Sequence, residues 1–410
     1  MPLITLKAQV HADSQTEAVL KDAMFCATKV YNGLLWHLRE EYKENGKVNI
    51  SRKNLNRILK ELPRVKGYYS MSVQLTRDEV REAYRSFFAL KKKGLTQHKA
   101  PGFRHKNYLS PLKYVQSGFR VDKNRVTLSL GTSREDGVKQ VSFRISHRPG
   151  IEYDRVRELS ITYDKISGQI EARLVVEVKA RENNGTERVA VDLGETVLMA
   201  CAFGDGMVTL YSGRLVKAIR RYWQKVRASL QRNSRRWGQV AHREKKQVEQ
   251  LLHVATSHFI AECVRRGVKE IAIGDLNGIR ESTDYGDQLN QRLHAWPYRK
   301  LINMLKYKGA LAGIVVRDDV NERGTSVTCH VCGRVLSSNR KSRGLYECSC
   351  GWRAQADVNG ALNIFEKKYK VSPIKGSSGR VAWPVVLSFR LGWQGVHEPK
   401  RGNKGLRASA

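Results

Sequence analysis

Residues 3–10, LITLKAQV, alternate apolar and polar side chains and predict a β-strand. Between Thr16 and Tyr42, Val19, Met24, Val30, Leu34 and Leu38 recur at helical spacing. Further amphipathic helices are expected over about 52–62 and 71–92, until Pro101 and Gly102 break the pattern. From about 103 to 182 the period changes to two. RVTLSL, VSFRIS, LSITYD and EARLVVEVKA read as short strands separated by Gly, Asp and Asn turns. The expectation is a β-barrel-like module (1–11 and 96–182) interrupted by a helical insertion (12–95), closed by the turn-rich RENNG at 181–185.

Beyond that hinge, 188–193 is nearly all apolar, and 196–203 and 207–211 form hairpins around Gly194 and GDG. Two helical stripes follow: Leu215, Ile219, Trp223, Val226 and Leu230, then Val248, Leu252, Ala255, Phe259 and Cys263. Next come a strand at 271–275, a helix at 294–311, a strand at 313–317, a cysteine cluster and a helix at 355–368. This order predicts an α+β, multidomain chain with a ribonuclease-H-like nuclease domain (186–325 and 354–370) into which a zinc ribbon (326–353) is inserted. Residues 371–410, rich in Gly, Ser, Arg and Lys, read as a flexible C-terminal tail, although Trp383 and Trp393 point to partial docking.

Composition narrows the partner. The 410 residues carry 74 Lys and Arg against 39 Asp and Glu, a formal net charge of +35, on a chain that is 41% hydrophobic. Enough apolar material is present for a folded core, so this is not a disordered polycation. The charge points to a polyanion, because release of condensed counterions drives basic proteins onto phosphates. No stretch reaches the 18 or so apolar residues of a membrane-spanning helix, and the first twenty residues lack a secretory h-region. A prokaryotic cytoplasmic, nucleoid-associated protein with no membrane partner is expected.

Four positions concentrate the chemistry. Asp192 ends an apolar strand, where a carboxylate is costly to bury without a cation, although Asp-Leu-Gly is also ordinary turn sequence. Asp357 stands in RAQADVNGALNIF, whose Ala356, Gly360, Ala361 and Ile364 let the helix pack closely on a sheet near Asp192. Two such acids can bind a pair of divalent cations for phosphodiester hydrolysis, and oxygen ligation suits magnesium. Cys329-x2-Cys332-x15-Cys348-x-Cys350 fits a four-thiolate structural zinc, whereas Cys26, Cys201 and Cys263 read as buried hydrophobes. Residues 214–249 hold 12 Lys or Arg against Glu244 and Glu249, with Tyr222, Trp223 and Trp237 interleaved. Lys217, Arg220, Arg221, Lys225, Arg227, Arg232, Arg235 and Arg236 are the expected contacts to nucleic-acid phosphates.

VDLG, a strand ending GDL, the CxxC…CxC ribbon and ADVNGALNI together resemble the RuvC-like core of the TnpB (OrfB) family, transposon-encoded RNA-guided nucleases related to small type V CRISPR effectors. The motifs cover about 187–368; the front half resembles the family in layout only. The resemblance implies a guide RNA from the transposon end, a short flanking DNA motif read by the front half, and cutting of both strands of a double-stranded target. Asp192 and Asp357 match the family's first and last catalytic aspartates, and the four cysteines match its zinc ribbon. One position departs. Where the family carries a catalytic glutamate before Asp-Leu, this chain has Gly274. Strands four and five of such a sheet are parallel neighbours, so Glu322, just past the fifth, opens onto the same edge and is the leading substitute. Glu281 and Asp275 are alternatives, as is no substitute at all. Relatives with a relocated glutamate favour an active centre formed by Asp192, Glu322 and Asp357. The competing readings are a nuclease-inactive RNA-guided DNA binder and a small type V effector. A strand-exchange transposase fits less well, since His242, His253 and His258 form no paired-histidine arrangement beside a tyrosine.

Overall fold

The computed structural model describes residues 2–63, 67–95, 97–132, 134, 136–147, 151–275, 296–342, 344–374 and 384–389. The chain forms two compact units, Leu3–Lys179 and Ala180–Ala410.

The first unit opens with β1 (Leu3–His11), whose alternate residues Ile4, Leu6 and Ala8 are buried. Asp13 then caps α1 (Ser14–Asn45) by accepting the Thr16 N–H at 2.7 Å, and Gly46 ends the helix at φ +65°. Helices α2 (Arg52–Glu61) and α3 (Ser70–Lys92) complete the insertion. Six more strands follow: β2 (Leu112–Val115), β3 (Phe119–Asp122), β4 (Arg125–Ser129), β5 (Gln140–His147), β6 (Arg155–Asp164) and β7 (Gln169–Glu177). The sheet order is β2-β6-β7-β1-β5-β4-β3. Strands β2 and β3 escaped the sequence reading because four residues carry too little alternation to register. They form opposite edges of the sheet, yet only the 3-10 turn Gln116–Gly118 separates them. A flat sheet of seven strands would be about 29 Å across, while three connecting residues reach at most about 14 Å. The sheet therefore curls until its edges approach at that end.

The second unit is built on β8 (Glu187–Asp192), β9 (Val197–Phe203), β10 (Val208–Ser212), β11 (Val268–Gly274) and β12 (Val315–Val320), in the order β12-β11-β8-β9-β10. Strands β8, β11 and β12 run parallel, and β8, β9 and β10 alternate in direction. Helices α4 (Arg214–Ala228), α5 (Arg235–Arg265) and α6 (Tyr298–Leu311) cover one face, packing Leu252, Phe259 and Leu305 against Val189, Val191, Cys201 and Ile271. The opposite face carries Ala190, Ala200, Ala202 and Ala272. These small side chains let α7 (Ala356–Tyr369) lie close to the sheet through Ala361, Leu362 and Ile364. The ribbon, with its two-residue strands β13 (Tyr346–Glu347) and β14 (Arg353–Ala354), lies in sequence between β12 and α7.

Part of the C-terminal segment packs onto this unit. Val385–Leu387 forms β15, a sixth strand added parallel to β10, with Leu387 and Phe389 buried beside the α4–α5 core. An open β10 edge beside an apolar core accounts for that docking. Trp383 and Trp393 lie outside the described residues.

Candidate functional site

Strand alternation puts Asp192 on the same side as Ala190, the face that α7 covers. Its Oδ2 occupies the space that a Cβ on Gly360 would need, so the glycine lets the helix close over this carboxylate where it stands. Asp357 is in the first turn of α7. Gln355 caps that turn by accepting the Val358 N–H at 2.9 Å, and its own amide donates to Asp357 Oδ2 at 2.7 Å. The Arg340 guanidinium, carried by the ribbon, stands 3.8 Å from Asp357 Oδ1.

Position 274 ends β11 beside Val320, the last residue of β12. An ideal Cβ built on Gly274 would overlap the Cγ, Cδ and Oε1 of Glu322. The Glu322 carboxyl thus stands where a side chain at 274 would begin. Its Oε1 is buried and has no hydrogen-bond partner among the described residues. The Asp275 N–H donates to Val320 O at 2.6 Å, and the Asp275 charge acts on Glu322. Glu281 lies outside the described residues.

The acids repel one another's ionisation. Burial, then the Asp357 charge, pushes Asp192 up to about 7. Burial, then the charges of Asp192 and Asp275, pushes Glu322 up to about 8. Burial also raises Asp357, against the opposing pull of Gln355 and Arg340. Asp192 is linked through its charge to Asp357 and to Glu322, and Glu322 keeps an orphaned buried oxygen. Oxygen donors of this kind suit a hard divalent cation such as magnesium, although among the described residues only the four cysteines already converge closely enough to hold one ion.

A sign follows for stability. Between its ordinary value of 4.5 and about 8, native Glu322 holds a proton that the unfolded chain has released, so stability falls as pH rises through that window. In zinc-loaded protein without other divalent cations, Glu322→Gln should melt above the parent at pH 8, with the gap closing toward pH 5. Equal midpoints at pH 8 would contradict this electrostatic account.

The ribbon gathers a different donor set. Among the described residues, the Sγ atoms of Cys329, Cys332, Cys348 and Cys350 all lie within 4.8 Å of one another. The Cys329–Cys350 and Cys332–Cys348 sulfurs are each 3.6 Å apart. A tetrahedral zinc with bonds of about 2.3 Å spaces its sulfurs by about 3.8 Å, so these four residues fit zinc with no open position. The Cys350 backbone N–H draws the Cys348 thiol down, toward the thiolate that a metal needs, while burial pushes the neighbouring Cys329 thiol up.

Two asparagines join the ribbon to α7. Asn359 accepts from the Trp352 indole N–H at 3.0 Å and the His330 backbone N–H at 3.2 Å, and donates to Thr328 O at 2.8 Å. Asn363 donates to Thr325 O and Thr328 O, both at 2.8 Å. The sequence reading missed these residues and Arg340. Asparagines four apart inside an apolar helix were the available signal, since such a residue is disfavoured there without partners. Arg340 had none, because its position depends on how the ribbon folds.

The eight expected phosphate contacts divide. Arg221, Lys225, Arg232, Arg235 and Arg236 are exposed around the α4–α5 turn. Lys217 is partnered 3.4 Å away by Glu195, and Arg227 pairs with Glu244. Arg220 lies 5.9 Å from the Trp296 ring centre. These last three spend part of their capacity inside the fold.

Comparison with known proteins yields consistent likenesses. A family described as "Cas12f1-like, TNB domain" matches residues 298–364, and one described as "Probable transposase" matches 172–280. A TnpB-like protein of Acidianus two-tailed virus is 26% identical over 390 residues, spanning 83% of this chain and 81% of the viral protein. The CRISPR-associated endodeoxyribonuclease Cas12f1 of Sulfoacidibacillus thermotolerans is 25% identical, spanning 63% of this chain and 64% of that protein. The fold is similar to that of Cas12f1 in its solved complex with sgRNA and target DNA. That match has a TM-score of 0.57 at 13% identity and covers 88% of this chain and 98% of the other.

Proposed function

We propose that this chain, a member of the TnpB family related to the type V effectors, is an RNA-guided, magnesium-dependent DNA endonuclease. The observation that carries the reading is the Glu322 carboxyl standing over Gly274, which supplies a third acid at the edge that Asp192 and Asp357 share. The sheet order β12-β11-β8-β9-β10, parallel on one side of β8 and antiparallel on the other, supports the ribonuclease-H-like assignment of this unit.

Asp192, Glu322 and Asp357 would hold magnesium, which supplies activation of the attacking water and stabilisation of the leaving oxygen in phosphodiester hydrolysis. The protein's own contribution is orientation. Asp192 is fixed at the end of a buried strand, and Asp357 is steered by the Gln355 amide at 2.7 Å. Arg340 adds positive charge at the same edge, where an incoming phosphodiester needs it. The four cysteines would hold structural zinc and so fix the ribbon that carries Arg340. Exposed Arg221, Lys225, Arg232, Arg235 and Arg236 offer a phosphate track for guide RNA and double-stranded target. The curled sheet of the first unit supports a β-barrel-like module (1–11 and 96–182) which, with the helical insertion (12–95), reads a short flanking DNA motif. No described helix is long and apolar enough to cross a membrane. A nucleic-acid target fits work in the prokaryotic cytoplasm.

The test is co-purification with RNA, followed by cleavage of a plasmid library randomised beside a guide-matched target. Cutting at one flanking motif, dependent on magnesium and lost in Asp192→Ala with target binding retained, is expected. RNA-dependent binding without cutting would leave a guided DNA binder instead.

A further inference from the structure

We propose that Asn363 and Lys367 of α7 are positioning residues that clamp the 321–325 loop and thereby set Glu322 over Gly274. This rests on reading Glu322 as a ligand of the nuclease centre. An acid on a strand end is held by the ladder on both sides. Glu322 lacks that support, because it lies two residues beyond the last residue of β12. Its carboxyl is buried while its backbone belongs to a loop, so its placement needs anchors from outside the loop.

The structure supplies them from one helix. Lys367 Nζ donates to the carbonyls of both neighbours of Glu322, Asn321 at 3.3 Å and Arg323. The adjacent Lys368 pairs with Asp319 instead, so Lys367 commits its charge to backbone carbonyls. One turn earlier, buried Asn363 donates to Thr325 O at 2.8 Å. Inside the loop, the Thr325 N–H and hydroxyl both return to Glu322 O, at 3.0 and 2.8 Å, and the Arg323 N–H donates to Asn321 Oδ1 at 2.8 Å. Residues 363 and 367 are four apart and share a helix face. The same helix carries Asp357, and its Gly360 packs on Asp192. One rigid element therefore references all three carboxylates, and the loop-borne one depends on it most.

The test uses the full-length, zinc-loaded protein. Hydrogen exchange reads the amides of Arg323 and Thr325, and a Mn2+ titration followed by paramagnetic resonance reads the carboxylate edge. Lys367→Ala is expected to speed exchange in the loop and weaken Mn2+ binding by roughly tenfold, as loss of an orienting partner of a metal ligand does. Lys367→Arg, which can still donate to carbonyls, should restore both, and zinc content should not change. Asn363→Ser provides a second variant from the other anchor. Parental exchange and parental Mn2+ affinity in both Lys367→Ala and Asn363→Ser would overturn the clamp. Glu322→Gln separates the two ideas. If it leaves Mn2+ affinity untouched while Lys367→Ala still loosens the loop, the ligand reading fails and the anchoring stands.

Discussion

Replacing Glu322 with glutamine is expected to lower the rate of guided DNA cleavage by at least about a hundredfold, since even partners that merely orient metal ligands are worth ten to a hundredfold. Affinity for the target should be unchanged, because the basic surfaces are untouched. The substitution keeps size and shape and removes only the negative charge. The stronger form of the experiment moves the acid. Position 274 ends the strand beside β12, and its Cβ direction leads into the space that Glu322 now fills. A Gly274→Glu, Glu322→Gly double variant should therefore recover part of the lost cleavage, with single-turnover rate as the readout. Full activity in Glu322→Gln together with loss in Glu281→Gln would transfer the role to residue 281.

Withdrawal of zinc is the second large effect. Structural zinc contributes on the order of 10–16 kcal/mol to folding in zinc-finger peptides, and among the described residues this ribbon's apolar core is little more than Tyr346, Trp352, Cys329 and Cys348. Cys348→Ser, or stripping by a strong chelator, should lower the melting temperature, expose Trp352 and abolish cleavage. The loss of cleavage has a structural route. Asn359 takes the Trp352 and His330 N–H groups, and the ribbon's Arg340 faces Asp357. A zinc-free protein that melts like the holo form, with Trp352 fluorescence unmoved, would rule out a zinc-dependent ribbon.

The strongly patterned elements of this fold were legible. Strands β8, β9 and β11 are apolar runs bounded by glycines, and α4 and α5 carry clear stripes, so their order along the chain could be read. What escaped was short or borrowed. β2, β3 and β15 have three or four residues each, and β15 exists because β10 and the α4–α5 core offer it an edge and a surface. At the candidate site, reasoning from neighbouring parallel strand ends led to Glu322, whose carboxyl lies over Gly274. Nothing in the order of residues says that Lys367 donates to two carbonyls or that Arg340 reaches Asp357. Those contacts depend on how the loop and ribbon settle on α7.

The overlap between a Cβ at 274 and the carboxyl of Glu322 also bears on descent. With Glu322 in its present rotamer a side chain at 274 has no room to begin, so a strand acid and the loop acid compete for one space unless the Glu322 side chain swings aside. The route with the least rearrangement empties position 274 to glycine before, or together with, the arrival of the loop acid. Glycine at 274 fits such an exchange, and taken alone it does not mark a lineage that gave up cutting.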